Sequence, residues 1–171
     1  MRTRGFTIVE LIITITIMGI LLLLAVVNLS SSQMSSRDAE RTADVEIIAS
    51  HLENFYRVGY DNSPSDVGRY PSAAFTTSGG EAFILQVLRD IDPDALRAPG
   101  VTSPALSLIS ATNNLQTTTG VLPQPTINQY VYQPLNADGS LNSTGATGRK
   151  YNLYYRLEKD NTVYVVTSKN R

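Results

Sequence analysis

Cysteine is absent from the 171 residues, and histidine occurs once, at His51. No disulfide and no thiolate metal site can therefore form. A histidine-rich metal site or a Ser–His catalytic pair has equally little to draw on. The sequence also lacks the GxSxG, P-loop and HExxH patterns that carry nucleophilic, phosphate-binding and zinc chemistry. Charge is sparse and balanced: 14 Lys and Arg stand against 15 Asp and Glu, for a formal net charge of −1. The cations are scattered, so a nucleic-acid groove is not indicated. Together these absences argue against an enzyme, and no cofactor or metal is expected.

What is present is distributed very unevenly. From Phe6 to Val27 there are 22 residues with one charge, Glu10. As a helix, this run covers about 33 Å, enough for the hydrocarbon core of a bilayer. The remainder is polar and rich in Ser, Thr, Asn, Gly and Pro. Arg2 and Arg4 precede the apolar run, and no charge follows it until Arg37. The positive-inside tendency therefore keeps the N-terminus cytoplasmic and exports the C-terminal bulk. A secretory signal peptide fits the basic start, but the run is long, Glu10 interrupts it and no A-x-A site follows. A plain signal anchor tolerates the length. Neither explains a carboxylate five residues after a glycine at the mouth of a membrane segment.

The segment Gly5-Phe6-Thr7-Ile8-Val9-Glu10-Leu11 resembles the type IV prepilin signature shared by type IV pilins and secretion pseudopilins. In that family a basic leader ends in Gly, Phe follows, and Glu stands at the fifth position after the cut. The resemblance implies that a prepilin peptidase cleaves between Gly5 and Phe6 and methylates the new amine of Phe6. Loss of Met1 to Gly5 removes Arg2 and Arg4, making the chain more negative by two units. The resemblance further implies roles in filament assembly for Glu10, Thr7 and Gly19. It covers residues 1 to 30 most clearly. Many major pilins carry proline where this chain has Val27, which implies a straighter helix here.

A carboxylate in a membrane segment is costly and usually functional. Cleavage creates the amine that compensates it, and the resemblance implies that Glu10 of one subunit pairs with the N-terminal amine of a neighbour. The bland alternative is a snorkelling carboxylate with no partner.

Beyond the apolar run, Val45, Ile48, Leu52 and Phe55 recur at helical spacing, with Tyr56 alongside. Arg37, Asp38, Glu40, Arg41, Asp44, Glu46 and Glu53 fall mostly on other faces, with Arg37 and Glu40 as an i,i+3 pair. Gly59 reads as the helix stop. The Ser30–Ser32 and Ser35–Ser36 stretches are its weakest points by propensity and candidate sites of bending. His51 reads as a structural residue. After a loop through Asp61, Asn62, Pro64 and Gly68, Ser78-Gly79-Gly80-Glu81 has capping-box spacing. It opens a short helix with Phe83, Ile84, Val87, Leu88 and Ile91 on its apolar side and Pro93 at its close. Asp90, Asp92 and Asp94 alternate like a calcium loop, but Pro93 interrupts them and the Gly and distal Glu are missing. They read as a solvated helix end. Residues 95–128 show no clear pattern, and a structureless loop of that length is uncommon, so an element is expected there. Thr117 to Gly120 reads as a surface loop.

Three antiparallel strands follow: Gln129–Gln133 ended by Pro134, Tyr151–Glu158, and Thr162–Ser168 after a Lys159-Asp160-Asn161 turn. Their apolar face needs a cover, and the amphipathic half-helix supplies it.

The expected fold is thus α+β, a long N-terminal helix packed on a small antiparallel sheet, as the pilin resemblance also implies. The expected divisions are leader 1–5, transmembrane and polymerisation helix 6–28, amphipathic continuation 29–58 and globular head 59–171. The function expected is a structural subunit of a type IV pilus. It resides in the cytoplasmic membrane and then enters an extracellular homo-oligomeric helical filament, with minor pilins possible. The resemblance implies prepilin peptidase and an assembly platform as partners. Two alternatives stand: a pseudopilin of a secretion or DNA-uptake pseudopilus, located in the periplasm, and a signal-anchored binding domain that never polymerises.

Overall fold

The computed structural model describes residues 5–60, 64–77, 80–102, 105–145 and 148–170, and only the backbone of residues 27 and 28. Arg2 and Arg4 of the leader, Asp61 and Asn62 of the loop, and Ser78 and Gly79 of the capping box lie outside the described residues.

One helix, α1 (Ile8–Val58), spans 51 residues, about 77 Å of rise. It continues without a break through residue 27 and through Ser30–Ser36. At its C-terminus Gly59 adopts a φ of 76° and its N–H reaches Phe55 O at 2.7 Å. This left-handed position suits glycine and stops the helix where expected.

The head wraps the C-terminal half of α1. Val45, Ile48 and Leu52 are fully buried and Phe55 nearly so, as the spacing predicts. A second helix, α2 (Gly80–Val87), buries Ile84 and Val87. Leu88 and Ile91 extend that apolar contact through the turn that follows. Pro93 then opens a 3₁₀ turn, Pro93–Leu96, whose N-cap is Asp92, accepting from the Asp94 N–H at 3.0 Å. Asp92 and Asp94 thus belong to a capped turn.

The sheet has four strands in the order β1 (Leu108–Ser110), β2 (Tyr130–Leu135), β3 (Lys150–Arg156), β4 (Val163–Thr167). The β2–β3 and β3–β4 pairs are antiparallel, but β1 runs parallel to β2. The expected purely antiparallel sheet is therefore a mixed one, and β1 is the element hidden in the 95–128 stretch. Pro134 does not end β2; it sits inside the strand opposite Tyr151. The reason lies in the pleat. Tyr130 and Tyr132 direct their backbone bonds toward β1, so Pro134 faces the same side, where β1 has already ended at Ser110. Its missing N–H removes no ladder bond there.

Both faces of the central strands β2 and β3 are covered, while the edge strand β4 is largely exposed. Tyr130, Tyr132, Tyr151, Leu153 and Tyr155 face α1 in the main core. Val131 and Tyr154 face the opposite way, against Ala111 and Val121. The segment between β1 and β2 is thus a cover for the sheet's second face. Gln133, fully buried, ties it down: its Nε2 donates to Asn113 O (2.9 Å) and Leu115 O (3.1 Å), and its Oε1 accepts from Asn152 Nδ2 and the Tyr154 hydroxyl. Gly148 is required by proximity, since a Cβ there would meet Tyr70 O at 2.8 Å.

Candidate functional site: the N-terminal helix and its junction with the head

Gly5, Phe6 and Thr7 precede the first helical residue. Thr7 is the N-cap: its backbone is extended (φ −80°, ψ 151°) and its Oγ1 accepts from the Glu10 N–H at 3.2 Å. Thr7 and Glu10 have capping-box spacing, and Phe6 and Leu11 stand at the two positions of a hydrophobic staple. The signature is thus also a helix-start signal, which the sequence reading missed although the spacing was visible. Glu10 lies in the first turn, where the partial positive charge of the helix N-terminus favours a carboxylate. The Gly5–Phe6 bond lies in non-helical, exposed backbone, the kind of segment that proteolysis favours.

From Phe6 to Leu29 every large apolar side chain whose burial is described is more than half exposed, Phe6 itself at 80%. This is the one helix among the described residues that is long and apolar enough to cross a membrane, and none of its apolar window is buried against the head. A contiguous apolar surface of this size is far beyond what a soluble monomer leaves in water. Two of its hydroxyls are satisfied internally: Thr14 Oγ1 donates to Leu11 O (2.8 Å) and Glu10 O (3.0 Å), and Thr16 Oγ1 to Ile12 O (2.8 Å). Such back-bonding lets hydroxyls enter an apolar medium without losing hydrogen bonds. Gly19 stands mid-helix with nothing within 4 Å of where a Cβ would be, so no contact within this chain explains a residue that costs about 1 kcal/mol relative to alanine.

Where the stem enters the head, charged side chains turn inward. Asp38, Arg41 and Asp44 are buried, which corrects the expectation that they lie on solvent faces. Arg41 is 1% exposed; it donates to Ile127 O (2.9 Å), Pro99 O (3.3 Å), Asp38 Oδ1 (2.9 Å) and Glu158 Oε2 (3.4 Å). Arg37 pairs with Glu158 through two bonds of 2.7 and 2.8 Å, not with Glu40. The Tyr130 hydroxyl donates to Asp44 at 2.8 Å. Burial, opposed by that hydrogen bond, pushes the Asp44 carboxyl up to about 6. Farther along α1, Glu53 accepts from the Tyr70 and Tyr151 hydroxyls, the Lys169 N–H and Asn170 Nδ2. His51 is half-buried on the same helix.

Residues 1–26 match the prokaryotic N-terminal methylation motif. This is the prepilin signature of type IV pilins and pseudopilins, and the long helix on a small four-stranded mixed sheet is a pilin-like α+β arrangement. Over residues 1–26 the chain is thus similar to type IV pilins and pseudopilins. No curated protein and no solved structure matches it.

Proposed function

We propose that this chain is the structural subunit of a type IV pilus filament. One coincidence carries the reading: the segment that matches the methylation motif is continuous with the apolar half of α1 that no described residue of the head covers. In this account residues 1–5 are a leader removed at Gly5–Phe6, with Arg2 and Arg4 holding it on the cytoplasmic side, and Phe6 becomes N-methylated. Residues 6–28 first span the cytoplasmic membrane and then pack against copies of themselves. Lipid and neighbouring helices are both apolar, so transfer from one to the other leaves the apolar surface covered.

Glu10 supplies register. Carried into the filament, its carboxylate meets the Phe6 amine of a neighbour, and a wrong axial position leaves a buried charge unpaired. Gly19 permits close approach of a neighbouring helix, and Thr7 holds the first turn that presents Glu10. Residues 29–58 and the head from 59 onward form the outer layer. Prepilin peptidase and an envelope assembly platform are the partners this requires.

The experiment is the intact mass and N-terminal fragment spectrum of the protein from its native membranes, with filaments sheared from the cell surface. A chain beginning at a singly methylated Phe6, found in surface filaments, supports the reading. Processed chain confined to the envelope points instead to a pseudopilus. A chain beginning at Met1, or cut within residues 28–36, removes the filament altogether.

A further inference from the structure

On the reading that copies of this chain pack together in a filament, we propose that neighbouring heads make a heterologous electrostatic contact. In it, the cleft carrying Arg149 and Lys150 on one copy receives Glu40 and Glu46 of the next.

The cleft lies beside Tyr56, near the C-terminal end of α1, where Tyr56, Ala137, Arg149 and Lys150 enclose about 390 Å³. A second hollow of about 400 Å³ shares Ala137 and Arg149 with it and adds Arg69 and Asp138. The acid there is already committed: Asp138 accepts from the Ser140 N–H at 2.9 Å and the Ser140 hydroxyl at 2.6 Å, closing its own turn. Arg149 donates to a neutral acceptor, Gly68 O, at 3.0 Å. Neither Arg149 nor Lys150 forms an ion pair among the described residues.

The opposite sign dominates lower on the stem. Glu40 and Glu46 are exposed on the ridge of α1 that faces away from the head, with exposed Ala43 between them and Ile47 alongside. They too form no ion pair among the described residues. The two cations on the same stretch of α1 are consumed internally, Arg37 by Glu158 and Arg41 by Asp38 and Glu158. Beside the dominant effect of burial, Glu40 and Asp92 both push the Asp44 carboxyl up, with Arg41 opposing them.

The two patches are separated along α1 by about 15 Å from Glu46 to Tyr56 and about 24 Å from Glu40. A two-fold axis between antiparallel copies would pair the two patches, but copies in a filament run parallel, and between parallel copies charges at different heights do not meet without an axial shift. They are satisfied when the next copy is shifted along the helix axis, and that shift repeats without closing. Such a heterologous contact generates a filament. Charge pairs of this kind set register and reject wrong partners more than they supply raw affinity. An anionic polymer from outside the cell is the competing occupant of the cleft.

The test is a charge swap in the full chain in its own cells, read as the yield of sheared filaments. Glu40→Lys/Glu46→Lys and Arg149→Glu/Lys150→Glu are each expected to lower that yield about tenfold or more, and the combined four-site variant to restore it to within about twofold. Processed chain in the membrane at the unaltered level, with an unaltered melting temperature, establishes folding in each case. If the Arg149/Lys150 reversal fails to fold, Arg149→Gln/Lys150→Gln replaces it, with the same expected direction. Unaltered filament yield in either folded double variant, or no recovery in the folded four-site variant, overturns the inference while leaving the filament reading intact. If the unaltered chain itself yields no filaments, both fall.

Discussion

Asp38 on the stem receives the backbone N–H of Glu158 at 2.7 Å. Its other oxygen takes the N–H of Lys159 at 2.9 Å, while Arg41 neutralises it from 2.9 Å away. One helical side chain thus caps the turn between β3 and β4. Arg41 is the buried centre of this clasp, so Arg41→Ala leaves the buried Asp38 carboxylate without its cation and Glu158 with Arg37 alone. A loss of about 3–5 kcal/mol is expected. Arg37 is partly exposed, and solvent screening makes Arg37→Ala expected to cost much less than Arg41→Ala. Urea unfolding of both variants in detergent, on the full chain, measures the difference. Equal costs would mean that Arg41 is not the anchor.

The Asp44 carboxyl has a second consequence, in pH. Its folded-state value of about 6 lies above its ordinary 3.8, chiefly through burial. The folded chain therefore binds that proton more tightly than the unfolded chain does. Stability from this group rises as pH falls from about 6 to 4, and is absent above that window. The bound is about 3 kcal/mol, at 1.36 kcal/mol per pH unit. Glu158 works in the opposite sense: the Arg37 hydrogen bonds hold its carboxylate below the ordinary 4.5, so its contribution is lost below that range. A stability maximum near pH 5 is expected. Asp44→Asn keeps an acceptor for the Tyr130 hydroxyl, and should raise the melting temperature at pH 8 while flattening the profile between pH 4 and 7. A profile unchanged by Asp44→Asn would assign the titration elsewhere.

The charged residues of this junction also show where sequence reasoning stops. The apolar register Val45, Ile48, Leu52, Phe55, the stop at Gly59, the short second helix and the C-terminal hairpin follow from periodicity and turn chemistry, which are local. Asp38, Arg41 and Asp44 look like a solvated face because their partners Pro99, Ile127, Tyr130 and Glu158 are 58 to 120 residues away. Strand β1 has three residues, too few for a period, and it exists because Tyr130–Tyr132 offers it a parallel edge. The N-terminal signature was legible as a family resemblance, but the same residues also spell a helix cap in plain spacing.

Gln133 is the test of the sheet's second face. Its four bonds join β2 and β3 to the covering segment, through Asn113, Leu115, Asn152 and Tyr154. Gln133→Leu keeps most of the volume but leaves the Asn152 amide, the Tyr154 hydroxyl and two backbone carbonyls without this partner. A cost of about 2–4 kcal/mol is expected from such stranded groups. Hydrogen exchange should show the loss concentrated in residues 111–129, with α1 still protected. Uniform loss across the head would instead make Gln133 part of the global core.

Glu10 and Thr7 separate register from helix capping. Thr7→Ala removes the hydroxyl that accepts the Glu10 N–H, and should cost about 1 kcal/mol at the first turn. Processing is expected to continue and filament yield to fall only modestly, because the helix that packs remains. Glu10→Ala leaves the cap in place and removes the charge. Under the filament reading, its product is cleaved and methylated at Phe6 yet absent from sheared filaments, and Glu10→Gln behaves in the same way because the amine needs a negative partner. Intact mass of the membrane pool reports processing, and the sheared fraction reports assembly. Normal filament yield from Glu10→Ala would leave the carboxylate as nothing more than a favourable charge at a helix N-terminus.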